Sequence, residues 1–205
     1  MLRSVSSEFC SRGWSKVSCS SLDAHLQKQD TDLGPVTVGA RYVEFFSRHH
    51  GLNAVTLRYF NAYGPGELPD RYRNVIPNFF YLAMSSRKLP ITGSGDQTRD
   101  FTFVEDTVAG TIAESEKGHS GATSNIGSGQ ETTILALARK INEIAGNPAG
   151  IEFAEQRNWD TVPHRLGSIE RATGELGYRP TVGIDEGLRK TYEWLKKQDL
   201  TSCFV

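Results

Sequence analysis

The chain has 205 residues, of which 38% are hydrophobic and 23% are charged, a composition typical of globular proteins. Its 23 basic residues nearly balance its 24 acidic residues. The net charge of −1 argues against a nucleic-acid partner, because neutralising phosphates requires a clustered basic excess. No apolar run approaches the roughly 20 residues that cross a bilayer, so no membrane partner is expected.

Residues 1–37 differ in composition from the rest of the chain. Residues 1–21 contain eight serines and three basic residues but only one acid, Glu8, and they show little hydrophobic periodicity. This pattern predicts a disordered or foreign leader, with a transit peptide as the alternative. We expect the leader to cover 1–37, the organised domain 38–198, and a short tail 199–205.

The cysteines Cys10, Cys19 and Cys203 lie near the two ends of the chain and show no metal-ligand spacing. An odd number at such sites is typical of free thiols in a reducing compartment, which predicts a cytoplasmic protein. The five histidines show no ligand spacing either, so no metal is expected.

Regular periodicity begins after residue 37. Tyr42, Phe45, Phe46 and His49 fall at helical spacing, and Gly51 follows as a predicted C-cap. The remaining predicted elements are strands at 53–59, 89–92, 98–104, 122–126 and 151–154 and helices at 75–86, 105–116, 132–145 and 185–197. Because strands alternate with helices, the sequence predicts an α/β fold.

Several motifs succeed one another along this domain. They are LRYFNAYGPG at 57–66 after Gly51-Leu52, NVIP at 74–77, LPITGSG at 89–95, TRDFTFVED at 98–106, NIGSG at 125–129, RNWD at 157–160, and ELGYRP at 175–180 with EGL at 186–188. In this order they resemble the extended short-chain dehydrogenase family of NAD-dependent nucleotide-sugar epimerases and dehydratases, typified by UDP-glucose 4-epimerase. The resemblance covers about four-fifths of this chain but only the later part of a complete family member.

The resemblance implies a partial Rossmann-like fold that lacks the N-terminal dinucleotide-binding half and keeps the C-terminal substrate-binding α/β subdomain. It implies NAD as the cofactor of the complete protein, a nucleoside diphosphate-sugar as the partner, most simply a UDP-sugar, and a homodimer. The family's Gly-x-x-Gly-x-x-Gly turn has no match before residue 38. The glycine turns at 93–95 and 127–129 are interpreted as structural, since short glycine motifs arise often by chance.

The family's catalytic Tyr-x-x-x-Lys pair is also unmatched, so no catalytic residue is assigned. Counting back from Arg58 by the family's usual spacing places Asp32 and Val36 at these positions, and neither side chain can form a lysine-stabilised phenolate. Tyr192 and Lys196 have the right spacing but lie on the predicted C-terminal helix, where we interpret them as structural. Ser15-Lys16 lies too far from Arg58 and is attributed to coincidence.

The remaining motifs resemble those that bind a nucleoside diphosphate-sugar. By resemblance, Asn61 donates its amide to the substrate, and the backbone of Asn74 and Val75 meets the phosphates at a helix N-terminus. The alternatives are an Asx-turn for Asn61 and a simple N-cap for Asn74.

Two arginines, Arg99 and Arg157, match the family's diphosphate contacts, for which the planar guanidinium is well suited. By the same resemblance Asp160 accepts the ribose hydroxyls, and Pro90, Ile91 and Thr92 line the base. The backbone of Phe60 faces the nicotinamide in complete members, although Phe60 is equally suited to the core.

The predicted reaction of the complete protein is epimerisation of a UDP-sugar, with dehydration of a dTDP- or CDP-sugar as the second choice. Two alternatives stay open. One is a nucleotide-sugar binding module without catalysis, and the other is an inert gene fragment that folds poorly.

Overall fold

A computed structural model describes residues 18–21, 35–70, 73–155, 163–201 and 203. The fold is mixed α/β with several parallel strand pairs, as predicted. The chain forms two compact units. The first holds the described residues up to Tyr59 with Val108–Ile126 and Ser168–Arg179, and the second holds Phe60–Thr107, Gly127–Gly167 and the described residues from Pro180 onward.

A three-stranded parallel sheet organises the first unit. Strand β2 (Thr56–Tyr59) lies between β1 (Ser18–Ser21) and β7 (Thr123–Ile126). Helix α1 spans Pro35–His50, and helix α3 spans Val104–Lys117. Gly51 has φ +67°, which confirms the predicted left-handed end of α1.

Strand β1 was not predicted, because its serine-rich sequence carries neither apolar alternation nor β-branched residues. The strand forms because it pairs in parallel with β2, with Ser18 opposite Thr56, and not because its own residues favour a strand. Helix α1 likewise begins at Pro35, three residues before the predicted domain boundary. A proline suits the first helical turn, where its missing N–H leaves no hydrogen bond unmade.

One face of this sheet carries a small apolar core. Leu57 and Ile126 are fully buried there against Ala172 and Leu176, which belong to a π-helical turn at Ala172–Leu176. Side chains alternate along a strand, so the opposite face of β2 presents Arg58 instead. The π-helical turn was not predicted, since it is one turn of an irregular helix without its own periodicity.

Short strand pairs and three helices build the second unit. Its elements are β3 (Ala62–Tyr63), α2 (Val75–Met84), β4 (Leu89–Thr92), β5 (Thr98–Asp100), β6 (Thr102–Phe103), β8 (Glu131–Thr133), α4 (Ile134–Ala145), β9 (Ile151–Ala154) and α5 (Ile184–Leu195). Strands β3 and β6 pair in parallel, as do β4 and β9, whereas β5 and β8 are antiparallel.

The three helices of the second unit enclose its main core. Fully buried side chains come from each of them, including Phe80 of α2, Leu137 of α4 and Leu188 of α5. Helix α4 begins where the Thr133 hydroxyl accepts a hydrogen bond from the Ala136 amide at 3.1 Å. It ends at Gly146 with φ 63°, which confirms the predicted glycine cap.

The predicted strand at 98–104 is two strands in the structure. Residues Thr98–Asp100 pair with β8, while Thr102–Phe103 pair with β3, and the buried Phe101 lies between them. The apolar pattern is continuous across this stretch, so it predicts burial but not the change of partner. No helix in the described ranges is long and apolar enough to cross a membrane.

Glu114 of α3 is an uncompensated acid within the first unit. Its side chain is fully buried, and neither carboxylate oxygen has a hydrogen-bond partner among the described residues. Burial therefore raises the pKa of the Glu114 carboxyl. The nearby Ser124 and the positive charge of Arg171 lower it only in part.

Replacing Glu114 by Gln should change how stability depends on pH. In the parent, the unfolded carboxyl ionises near its ordinary pKa while the folded carboxyl still holds its proton, so stability falls as pH rises towards the raised folded pKa. The Glu114→Gln variant lacks this fall, and its advantage in melting temperature should grow from pH 4 towards neutrality. Glu116 is an exposed neighbour of Glu114, so Glu116→Gln is the matched control. If melting temperature depends on pH in the same way in Glu114→Gln and in the parent, the raised pKa of Glu114 is wrong.

Candidate functional site

The Asn61 side chain, in the loop after β2, is hydrogen-bonded to strand β5. Its Nδ2 donates to the Asp100 carbonyl at 2.9 Å, and the main-chain carbonyl of Asn61 accepts from the Thr102 amide at 3.3 Å. A local Asx-turn is therefore not the role of this side chain. The contact fixes the Asn61 amide at the junction of β5 and β6.

The Asp100 carboxylate, fully buried, collects four donors. One oxygen accepts from the Ser128 amide at 2.8 Å, the Ser128 hydroxyl at 2.6 Å and the Thr102 hydroxyl at 3.3 Å, and the other accepts from the Gly129 amide at 3.1 Å. The amides of the glycine turn at 127–129 thus point at a protein carboxylate. This supports the interpretation of that turn as structural.

Phe60 packs its ring into the interior beside the same turn. The residue is 6% exposed, and a side-chain carbon added at Gly127 or Gly167 would meet the ring at 3.4 and 2.6 Å respectively. The ring therefore requires glycine at 167, whereas at 127 the contact that requires glycine is with Asp100 Oδ2 at 2.7 Å. The Phe60 side chain is a core aromatic, which leaves only its main chain for the predicted nicotinamide contact.

Asn74 occupies the N-cap position of α2, but its side chain caps nothing. Its Nδ2 donates instead to the Glu67 carboxylate at 3.0 Å and to the Ala62 carbonyl at 3.3 Å. The first turn of α2, which begins at Val75, contains no acidic residue. The Asn74 main-chain amide donates to the same Glu67 carboxylate at 3.4 Å, so an acid of the preceding loop already lies at the positive end of the helix. Sequence reasoning did not single out Glu67, because only the folded loop brings it to Asn74.

The predicted base-lining segment is strand β4. Pro90 is exposed, Ile91 is fully buried and Thr92 is half-buried. The segment pairs with β9, whose Phe153 lies opposite Ile91 and is 62% exposed. Phe153 is an aromatic surface beside this strand that the sequence analysis did not identify, since a single Phe in a short strand predicts burial.

Arg99, a predicted diphosphate contact, is largely enclosed. Only 8% of the residue is exposed, and Nη1 donates to the carbonyls of Thr98 at 2.7 Å and Pro163 at 3.3 Å. Arg99 therefore also braces the main chain of its own unit.

The same strand holds the chain next to the predicted Arg157 and Asp160. The Thr98 amide donates to the Pro163 carbonyl at 2.8 Å, and Thr98 Oγ1 lies 3.1 Å from His164 Nδ1. Arg157 and Asp160 themselves lie outside the described residues. Pro163 and His164, which follow them in sequence, are anchored on β5.

The residues considered for the catalytic pair fall in three places. Tyr192 stacks on Phe80 with ring centroids 5.5 Å apart, and Lys196 lies over the Tyr192 ring, in line with the structural interpretation. Val36 lies in the first turn of α1, and that helix contains no lysine. Asp32 and Ser15-Lys16 lie outside the described residues.

Known proteins that are similar to this chain include enzymes named for their action on nucleotide sugars. Residues 37–127 match the model of the NAD dependent epimerase/dehydratase family. UDP-N-acetyl-alpha-D-glucosaminuronate decarboxylase of Bacillus cytotoxicus is 32% identical over 152 residues, covering 72% of this chain and 47% of that protein.

Two solved structures resemble the fold closely. Epimerase Mth375 of Methanothermobacter thermautotrophicus has a TM-score of 0.75 at 44% identity, covering 78% of this chain and 48% of its own. The Bordetella bronchiseptica enzyme WbmF in complex with NAD+ and UDP has a TM-score of 0.68 at 43% identity, covering 78% of this chain and 50% of its own.

The chain belongs to the NAD-dependent epimerase/dehydratase family and has its Rossmann-like α/β fold. The family is NAD-dependent, and solved relatives such as WbmF are NAD(H) complexes. The chain spans about half the length of the relatives that it matches.

Asp100→Asn should lower the stability of the protein by about 2–3 kcal/mol, because hydrogen bonds to a buried charged acceptor are among the strong ones. An asparagine presents one acceptor oxygen, and its amide hydrogens face the donors of Ser128 and Gly129. Urea unfolding measures the change. Asp96 is an exposed acid of the same unit whose carboxylate has no hydrogen-bond or ion-pair partner among the described residues, so Asp96→Asn should leave stability within about 0.5 kcal/mol. Equal effects of the two substitutions would contradict the role of Asp100.

Proposed function

We propose that this chain is the substrate-binding part of a nucleotide-sugar epimerase or dehydratase. Its ligand is the nucleoside diphosphate moiety of a sugar nucleotide, with a UDP-sugar as the first choice. A UDP-sugar epimerase is the proposed parent activity, and dehydration of a dTDP- or CDP-sugar is the second.

The Asp100 network carries this proposal. It joins Asn61 and the turn at 127–129 in one buried hydrogen-bonded group, and Arg99 directly precedes Asp100 in strand β5, so that two predicted ligand contacts on distant parts of the sequence are held in fixed positions. Fixed donors cost less conformational entropy on binding than mobile ones. The resemblance to WbmF, which was solved with UDP, supports the choice of ligand.

Each proposed contact has a chemical role. The start of α2, at Asn74 and Val75, offers main-chain donors to an anion, which would displace the Glu67 carboxylate from the Asn74 amide. Arg99 and Arg157 provide guanidinium donors for the diphosphate, and Asp160 accepts the ribose hydroxyls. Strand β4, from Pro90 to Thr92, lines the base.

The described residues do not fit NAD. The amides of the glycine turn at 127–129 are engaged with Asp100, and α1 carries no Tyr-x-x-x-Lys pair. When bound in a complete family member, NAD accepts and returns the hydride. We therefore assign no redox or proton-transfer step to this chain and confine its role to holding the sugar nucleotide.

A binding module without catalysis is the second candidate function. The observation in its favour is the lysine-free helix α1. Activity on UDP-sugars with added NAD would favour an enzyme, and UDP binding without turnover would favour the module. We also propose a homodimer, supported by the exposed aromatic side chains Tyr42, Phe45 and Phe46 on α1, and a cytoplasmic location, supported by the free thiol of Cys203.

The diphosphate contact can be tested by calorimetry with UDP in the absence of metal. The parent should bind weakly, and Arg157→Ala should weaken binding by roughly 1.5–3 kcal/mol, the range for hydrogen bonds to charged groups. Arg157→Lys should recover only part of the loss, since a point charge does not reproduce the planar fork. Arg99→Ala should lose a similar amount, but it also removes a donor to the Pro163 carbonyl, so its melting temperature must be measured alongside.

Arg139→Ala is the matched control, because Arg139 is an exposed arginine of α4 in the same unit. It should change UDP affinity by no more than the salt-screened background. If Arg157→Ala binds UDP as tightly as the parent, the assignment of the site is wrong. Absence of UDP binding by a folded parent would remove the proposed ligand altogether.

The chain alone should not retain NAD. The physical reason is that its described backbone donors offer no glycine turn open to a pyrophosphate. Calorimetry of the purified 205-residue protein with NAD should show no binding at micromolar concentration, and UDP measured in the same preparation shows that the protein is competent. A micromolar dissociation constant for NAD would refute this prediction.

A further inference from the structure

A cationic cleft of about 600 Å³ lies within the first unit. It is bordered by α1, by the Arg58 face of β2 and β7, and by the segments around His119 and Ser168. Four arginines and two glutamates line it, so cationic side chains outnumber anionic ones by two. Its volume is in the range of small-molecule sites.

Arg58 is the unusual member of this lining. It is half-buried on the central strand, opposite Asn125 of β7, and none of its guanidinium nitrogens has a hydrogen-bond or ion-pair partner among the described residues. A guanidinium carries five N–H donors, and a partly buried donor without an acceptor is destabilising.

The neighbouring charges do not compensate Arg58. Glu44 is shared by Arg41 at 2.9 Å and Arg48 at 2.8 Å, and Arg171 is held by Glu175 at 3.0 Å and by the Thr123 carbonyl at 3.0 Å. Burial lowers the pKa of Arg58, and the charge of Arg41 lowers it further. The guanidinium nevertheless stays protonated, since its ordinary pKa lies far above neutrality.

We propose that this cleft is a binding site for a phosphate-bearing small molecule, with Arg58 as its central contact and Arg41 beside it. A phosphate group offers the several acceptor oxygens that the unmatched Arg58 donors require, and it matches the planar fork of a guanidinium. The site is separate from the proposed sugar-nucleotide contacts. Its lining belongs to the first unit, and the described residues among those contacts belong to the second.

The proposal can be tested with inorganic pyrophosphate as the probe and the full 205-residue chain as the protein. Calorimetry measures the affinity, and hydrogen exchange with and without pyrophosphate locates the site. Binding should protect α1 and residues 119–125, and it should weaken as salt is raised. Arg58→Gln should weaken pyrophosphate binding at least tenfold. The affinity of Arg58→Lys should lie between those of Arg58→Gln and the parent. Arg41→Gln, at a side chain that is 73% exposed and thus safe for folding, should weaken it at least threefold.

Arg179→Gln removes the same charge from an exposed arginine of the first unit outside the cleft, and it should stay within twofold of the parent. The melting temperature of Arg58→Gln should be no lower than that of the parent, because the Arg58 guanidinium makes no stabilising hydrogen bond or ion pair with a described residue. Absence of pyrophosphate binding, protection confined to the second unit, or equal losses in Arg58→Gln and Arg179→Gln would each overturn the proposal. The UDP experiment has its own variants, so either proposal can fail without the other.

Discussion

The buried carboxylate of Asp100 is the interaction on which the second unit's candidate site depends. An ionised carboxylate is tolerated away from water only when donors surround it, and here the Ser128 and Gly129 amides and two hydroxyls do so. The main chain of the same residue receives Asn61. One residue thus fixes the end of β5, the glycine turn and the start of the loop after β2.

A second buried acid, Asp106, plays the corresponding part for the C-terminal segment. Its two oxygens accept from the Thr181 amide at 2.9 Å and the Val182 amide at 3.0 Å, just before α5 begins. These two acids lie six residues apart on one motif. The TRDFTFVED segment therefore organises the second unit, and the enclosed position of Arg99 agrees with that.

The two units treat charge in opposite ways. In the second unit, buried carboxylates accept hydrogen bonds from nearby amides. In the first unit, the Glu114 carboxyl has no hydrogen-bond donor and the Arg58 guanidinium has no acceptor among the described residues. Uncompensated groups are costly to stability, so they mark positions where a proton or a ligand completes the arrangement. Ligand binding by the second unit can therefore be tested independently of ligand binding by the cleft of the first unit.

The sequence by itself determined the helices, the family and the residue types of the site. Apolar spacing and a final glycine located the C-terminal end of α1 and both ends of α4 to within two residues, because amphipathic periodicity and a left-handed cap are local properties. Ordered motifs gave the family, because each motif is written in adjacent residues.

Only the tertiary structure decided the partners of those residues. Strand β1 exists through pairing with β2, the segment at 98–104 divides because its halves meet different strands, and Glu67 reaches Asn74 through a folded loop. The sequence pattern also marked Arg99 as a ligand contact, while its burial beneath the Pro163 carbonyl became visible only in three dimensions. The physical reason is the same in each case: hydrogen-bond partners and burial depend on contacts between distant parts of the chain, and local propensity carries no information about them.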